Sequence, residues 1–452
     1  MRILLVDPPF QRFVGFYRFY FPLGLTYLAA VLQNEGHEVL IYDAEHDSKC
    51  ISLSTKDLSL QHNLYKNALE DDSNSIWLEY KNILKQFDPD IVGISVLSVK
   101  LKSAIKIAQI TKSYKDSIYI VAGGEHVTAR PNDVLDNFFD FVVCGEGESG
   151  ILDVVEQVKN KKIVERVLKP VLIQDLDMIP MPLIDSLLDV KSYRPIDLGL
   201  MMTARGCPYN CTFCGLSPIW GHRVRSHSLK RIISEIKLRI LNYNVDYFSF
   251  KNGTFTVNRN WVIDFCNELI ANSINIQWEC LTRVNVIDEE LIEKMIKAGC
   301  VTIRIGVESG SPKILEYMGK DITLDQVRKA ARILNNSGIF WSAYFMLGVP
   351  QETLDTMDET FRFMKEINPP FVTLSKFTPL PGTEMYDDVV RLGLLNPDTT
   401  DWLWGANQSI DEVSFVKYMS QDEFSDKMYE IAQYIQKYNK AHLMKDARMK
   451  KD

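Results

Sequence analysis

The sequence predicts an α/β protein with two parallel sheets. A doubly wound, flavodoxin-like (Rossmann-type) domain is expected over residues 1–165 and a linker over 166–195. A partial (β/α)6 barrel of the TIM type follows over 196–386, then a helical region over 387–452. Three observations carry this. Short apolar runs alternate with helix-length segments along the chain, glycine-rich turns follow the runs, and Pro170, Pro180 and Pro182 with Asp175 and Asp177 interrupt the series with an extended stretch. At 452 residues and 46% hydrophobic content, the chain is long enough for two or three cores.

In the first domain, residues 2–7 and 39–44 are strands around a helix whose Leu23, Tyr27, Leu28, Val31 and Leu32 recur at helical spacing until Gly36 ends it. Further buried strands are expected at 91–97, 118–124 and 141–147, with a helix near 101–114 between the first two. Ligands of such sheets bind beyond the carboxyl ends of the strands. The loops at Asp7 and Pro8, Ser95 to Ser98, Gly123 to His126 and Gly145 to Glu148 therefore converge on one candidate site. Plain turn chemistry explains such glycines equally well. No Gly-x-Gly-x-x-Gly follows the first strand, so a dinucleotide is not indicated. Segment 45–88, with Trp77 and Tyr80, reads as a lid, a helical insert or a surface excursion.

In the second domain, strands are expected near 198–204, 247–252, 275–282, 301–307, 341–347 and 371–377. Helices fall around 228–242, 259–271, 288–298, 323–337 and 353–367. Six strand-helix steps are two short of a closed barrel, which leaves one side open. Beyond residue 386, Ser420 and Glu423 form a capping-box pattern before Phe424, Met428, Ile431 and Ile435 at core spacing. Trp402 and Trp404 read as substrate wall or core, and residues 445–452 as a charged tail.

Cys207, Cys211 and Cys214 follow the first barrel strand with C-x3-C-x2-C spacing. Three thiolates hold a 4Fe-4S cube by three corners and leave the fourth iron open to a small molecule. Zinc is the alternative, with His222 or His227 as the nearest further ligands, although zinc sites usually close with four ligands in spaced pairs. A disulfide is disfavoured because the chain opens on a strand and not an export signal, which also makes the cytoplasm the expected location. Among the other strand ends, Gly306, Glu308 and Ser309 join Arg283 as groups that could hold an amino acid attached to a nucleoside. Arg283 and Glu308 could instead pair with each other across the barrel mouth. Cys266, Cys280 and Cys300 lack ligand spacing and read as small apolar residues. A net charge of -8 without a long basic patch argues against nucleic acid as the main partner and for a small-molecule substrate. No run of 18 apolar residues is present to span a membrane.

The cysteine run 207–214, Trp-Glu-Cys-Leu-Thr-Arg-Val-Asn (278–285), Gly-Val-Glu-Ser-Gly (306–310) and Phe-Thr-Pro-Leu-Pro-Gly-Thr (377–383) resemble the radical S-adenosylmethionine (SAM) superfamily. Asp-Pro-Pro (7–9), the run 21–30, Gly-Gly-Glu-His-Val-Thr-Ala-Arg-Pro (123–131) and Gly-Glu-Gly-Glu (145–148) look like the cobalamin-binding domain carried by one class of it. The resemblance implies a 4Fe-4S cluster on Cys207, Cys211 and Cys214, with the SAM amino and carboxylate groups on the open iron. It further implies an external electron donor such as flavodoxin or ferredoxin, and reductive cleavage to methionine and a 5'-deoxyadenosyl radical. It places SAM against Arg283, Gly306, Glu308 and Ser309, and cobalamin against Asp7, Pro8, Ser95, Gly123, Gly124, His126, Gly145 and Glu146. Methyl transfer to an unactivated carbon is the leading activity it implies. Radical cyclisation or rearrangement is the runner-up, and a non-catalytic cobalamin-binding or redox-sensing module the answer of a different class. Two features depart from the pattern. Lys251, Asn252 and Gly253 stand where many members carry an Asp-Asp pair, and no Asp-x-His-x-x-Gly run supplies a lower cobalt ligand, which leaves His126, a water or nothing.

Overall fold

β1 (Arg2–Asp7) is buried along nearly its whole length because both its faces are apolar, and that places it inside a parallel sheet. The computed structural model describes residues 1–16, 20–48, 62–135, 137–398, 402 and 413–440. The chain divides into two units. One holds Met1–Asp197 with Pro218–Gly221 and Asp401–Ala406, and the other holds Leu198–Ser217, His222–Thr400 and Asn407–Asp452.

The first unit contains β1, β2 (Glu38–Asp43), β3 (Ile91–Ser95), β4 (Tyr119–Gly123), β5 (Phe141–Val143) and β6 (Val167–Leu168), all parallel, in the order β2-β1-β3-β4-β5-β6. This is the expected doubly wound sheet with one strand more. The stretch read as linker contributes β6, whose two residues are too few for a periodic signal. Arg166 holds it by donating to the carbonyls of Leu135, Phe139 and Asp140. The described part of segment 45–88 is a helical insert, His62–Glu70 and Ser75–Phe87. Trp77 and Tyr80 are fully buried in it, donating to Ala68 O (2.7 Å) and pairing with Thr111 Oγ1 (2.5 Å).

In the second unit, β7 (Leu200–Met201), β10 (Tyr247–Phe250), β11 (Gln277–Thr282), β12 (Cys300–Glu308), β13 (Phe340–Leu347) and β14 (Phe371–Lys376) run parallel in the order β14-β13-β12-β11-β10-β7. That is the open six-stranded barrel the sequence implies. The intervening helices begin at Ser228, Asn258, Asp288, Thr323 and Thr353, each accepting a backbone N–H of the first turn on its side chain. A short antiparallel pair, β8 (Ala204–Arg205) with β9 (Arg225–Ser226), brackets the cysteine loop. The C-terminal helix Gln421–Lys440 starts at the expected box, with reciprocal Ser420 and Glu423 bonds of 2.8 and 3.2 Å, and buries Phe424, Met428, Ile431 and Ile435. Its Asn439 covers the edge of β14 by bonding both the N–H and the C=O of Val372 (3.0 and 2.7 Å). Trp404 and residues 445–452 lie outside the described residues. No helix among the described residues is long and apolar enough to cross a membrane.

Candidate functional site

The site in the second unit is assembled by fixing the cysteine loop on several sides. After β7 the chain is pinned by Asn252, which accepts from Thr203 N (2.9 Å) and donates to Thr203 Oγ1 (2.6 Å). On the far side Thr212 donates its N–H to Met318 O (3.0 Å) and its hydroxyl to Tyr317 O (3.2 Å), while Met385 N donates to Thr212 O (2.9 Å). Gly253 lets the chain pass close to the loop, where a Cβ would sit 3.1 Å from Cys207 Cβ and 2.9 Å from Leu216 Cδ1. Gly319, at φ 57°, likewise passes Asn210 O, which a Cβ would meet at 2.8 Å.

Arg283 is buried and spans this loop. Its Nη1 donates to Cys211 Sγ (3.2 Å), its Nη2 to Lys320 O, and its guanidinium lies 3.7 Å from the centroid of the Tyr209 ring. The alternative pairing of Arg283 with Glu308 does not form; Glu308 Oε1 instead accepts from Lys320 Nζ at 2.6 Å. Glu308 adopts a left-handed backbone (φ 68°) where the β12–β13 register shifts between Gly306 and Glu308. That strain turns its carboxylate back over Gly306, where a Cβ would meet Glu308 Oε1 at 2.3 Å and Lys320 Nζ at 2.8 Å. Ser309 is buried against Thr360 Oγ1 (3.0 Å) and accepts from Ser311 N (3.1 Å), so it orders the turn.

Two groups escaped the sequence reading. Lys320 follows a short helix without any spacing signal. Glu279 sits in the middle of β11 and accepts from Tyr247 Oη (3.1 Å), Ser249 Oγ (2.6 Å), Lys251 Nζ (3.3 Å) and Arg304 Nε (3.0 Å). A lone carboxylate inside an apolar strand was a legible sign of such a hub. Lys251 thereby gains an acidic neighbour across the sheet.

In the first unit the adjacency of β1, β3, β4 and β5 sets their carboxyl-end loops side by side. Val96 N donates to Gly123 O (2.7 Å), His126 N to Val96 O (3.1 Å), and Gly145 N to Thr128 Oγ1 (2.9 Å). The side chains there are largely engaged by the protein itself. Asp7 and Glu45 both pair with buried Lys100 (2.7 and 2.9 Å). His126 is held at both ring nitrogens, by Ser98 Oγ (2.9 Å) and Asp133 Oδ2 (3.2 Å), with Trp402 edge-on at 4.9 Å. Glu146 Oε2 accepts from Ile173 N (2.8 Å). Gly124, at φ 113°, lies so near Val96 that a Cβ would meet its N and O at 2.9 Å. Ser95 and Gly123 end their strands at the same edge.

The donor set fits an iron–sulfur cluster. All three loop thiols are free. Burial first, with Cys211 and Cys207 adding to it, pushes the Cys214 thiol up to about 11, while Leu216 N–H and Lys320 pull it down. Such a group ionises when a metal centre supplies positive charge. The edge of the first unit fits a ligand held by backbone and shape, because its polar side chains already have partners.

A doubly wound ligand-binding sheet followed by an open barrel with a three-thiol loop defines a class of cofactor enzyme, and the comparisons identify it. Residues 75–155 match the B12 binding domain and residues 201–364 the radical SAM superfamily. The chain is 32% identical over 448 residues, 94% of its length and 90% of the relative's, to an uncharacterized methyltransferase of Pyrococcus horikoshii. It is 27% identical over 421 residues, 86% of its length and 70% of the relative's, to the anaerobic magnesium-protoporphyrin IX monomethyl ester cyclase of Rubrivivax gelatinosus. Its fold is similar to the radical SAM methyltransferase TsrM from Kitasatospora setae, with a TM-score of 0.66 and 17% identity, covering 94% of this chain and 81% of that one. The chain belongs to the radical SAM superfamily, in the class that carries a B12-binding domain. It is a cobalamin-dependent radical SAM enzyme whose cofactors are a 4Fe-4S cluster, SAM and cobalamin.

Proposed function

We propose that this enzyme transfers a methyl group to an unactivated carbon of a small molecule. The observation that carries the proposal is the relationship at 32% identity, across 94% of the chain, to a protein named a methyltransferase. When bound, the cofactors supply a methyl donor and a hydrogen-abstracting radical; the protein supplies position, charge and exclusion of water.

Cys207, Cys211 and Cys214 hold the cluster, and Arg283 braces it by donating to Cys211 Sγ (3.2 Å). Gly306 and Glu308 line the SAM site, with Ser309 fixing the turn behind them. In the first unit the loops of Asp7 and Pro8, Ser95, Gly123, Gly124, His126, Gly145 and Glu146 form the cobalamin cradle. Their side chains order the loops, and backbone and glycine surfaces make the contacts. An external electron donor of the flavodoxin or ferredoxin type reduces the cluster.

The test is anaerobic reconstitution with hydroxocobalamin, SAM and a reductant, followed by mass spectrometry, with Cys207→Ala as control. Both 5'-deoxyadenosine and S-adenosylhomocysteine, lost in the control, support methyl transfer, and a product heavier by CH2 establishes it. Deoxyadenosine with a product of unchanged carbon count supports radical cyclisation or rearrangement, the reading favoured by the 27% identity to a cyclase over 86% of the chain.

A further inference from the structure

Trp402 stands where no local pattern would put it. The first unit is drawn mainly from Met1–Asp197, yet it takes in this residue from the C-terminal region. Trp402 is only 4% exposed, and its backbone is left-handed at φ 60°, a conformation that a bulky side chain avoids. Such a backbone persists only where its surroundings over-determine it. The docking of the indole therefore fixes the backbone, and not the reverse.

The indole docks on one short helix, Glu125–Ala129, which follows Gly123 and Gly124 at the end of β4. The His126 ring is edge-on to Trp402, with centroids 4.9 Å apart and planes at 82°. The guanidinium of Arg130, the residue after the helix, lies 5.6 Å from the indole centroid. These two side chains share one carboxylate, that of Asp133, with His126 Nε2 at 3.2 Å and Arg130 Nε at 2.7 Å from its Oδ2. Trp402 thus touches both partners of a single acid.

That helix ties three strand-end loops together. His126 N donates to Val96 O (3.1 Å), Gly145 N donates to Thr128 Oγ1 (2.9 Å), and Gly124 passes Val96 so closely that a Cβ would meet its N and O at 2.9 Å. A helix that shifts carries the loops after β3, β4 and β5 with it. We propose that Trp402 is a positioning residue for cobalamin: by clamping His126 and Arg130 it holds the helix, and through the helix the three loops, in the shape that retains the cofactor. This rests on the reading of those loops as the cobalamin cradle. No contact with the cofactor is required of Trp402, which is then neither a substrate wall nor ordinary core. The C-terminal region, and not the sheet alone, sets how fast cobalamin leaves.

The test is the rate at which hydroxocobalamin leaves the cluster-reconstituted full chain, followed by its absorbance after gel filtration. Trp402→Leu is expected to speed release ~3- to 10-fold, the size of one lost aromatic contact. Trp402→Phe keeps a ring for the edge-on contact and should recover most of the loss. In an Arg130→Met background, Trp402→Leu should cost less than it does alone, because residues that act as a unit are not additive. Unchanged release, no recovery with phenylalanine, or full additivity with Arg130→Met would each overturn the proposal. Iron content and SAM affinity should stay at the parent's level; a parallel loss of both would mean that Trp402 supports the whole chain and not the cradle, which also overturns it. Trp402→Gly, whose backbone accepts this φ without strain, is read in the same way if the leucine variant folds poorly. Gly124→Ala separates the two levels: if this variant releases cobalamin at the parent's rate, the cradle reading fails, whatever Trp402 does.

Discussion

The carboxyl-end loops of the two sheets carry similar residues and use them in opposite ways. In the first unit, Asp7 and Glu45 share the cation of Lys100, His126 is held at both nitrogens, and Glu146 caps a backbone N–H. In the second, Glu308 is strained and Lys320 Nζ, among the described residues, donates to Glu308 alone beside the cysteine loop. A polar residue at a strand end therefore reveals its task less by its type than by how many of its bonding positions the protein has already filled. A large, shape-defined ligand suits the first edge, and a small, charged one suits the second.

The largest effect expected is at the thiols. Cys207→Ala removes one of three cluster ligands, and SAM cleavage should fall to background with loss of iron and of the visible cluster absorbance. Full cleavage in that variant would end the contrast, because the second site would then not depend on its loop. Next comes Lys100→Met. This leaves Asp7 and Glu45 buried without their cation, and breaking such a pair costs about 3–5 kcal/mol. Urea unfolding should show a loss of that order, with cobalamin retention weakened as the Asp7 loop relaxes. A loss below about 1 kcal/mol would mean that the triad is solvated and that the first edge is not self-satisfied.

Much of this architecture was legible in the sequence. Strands with both faces covered are continuous apolar runs, and barrel helices announce themselves through Ser228, Asn258, Asp288, Thr323 and Thr353 at their caps. The cysteine loop was legible because three ligands crowd into eight residues. β6 was not, because two residues carry no period. Lys320 was not, because its importance comes from Glu308, twelve positions away in sequence, reaching it through a backbone conformation that no local pattern encodes. The partner that Ser98 gives His126 was equally hidden, since it meets the ring only when β3 and β4 lie side by side.

The loop after β13 sharpens the comparison from within the second unit, because there a carboxyl is consumed as thoroughly as any in the first. Glu352 is fully buried, accepting from Gly348 N (3.1 Å) and Thr356 Oγ1 (3.0 Å), and burial pushes its pKa from the ordinary 4.5 up to about 7 despite both bonds. A carboxyl whose folded pKa lies above its unfolded value favours folding fully only below the unfolded value, and that contribution is lost as pH rises through the folded one. Stability should therefore fall between pH 4.5 and 7, by at most about 3 kcal/mol from this group at 1.36 kcal/mol per unit. Glu352→Gln should flatten that part of the profile in denaturant titrations. An unchanged slope would place the carboxyl in contact with water and remove the parallel.

The smallest effect expected is at His126. With Nδ1 on Ser98 and Nε2 on Asp133, the ring has no lone pair to give to cobalt unless it breaks one of these bonds, and Trp402 stands edge-on to it. His126→Gln should cost about 1–3 kcal/mol of stability from the buried groups left behind. The electron paramagnetic resonance spectrum of bound cob(II)alamin should be the same in variant and parent, with no nitrogen splitting from the lower face in either. Nitrogen splitting in the parent that disappears in the variant would make His126 a metal ligand. The first edge would then hold its cofactor by side-chain chemistry after all, and the contrast between the two sheets would fail at the residue where it looks most secure.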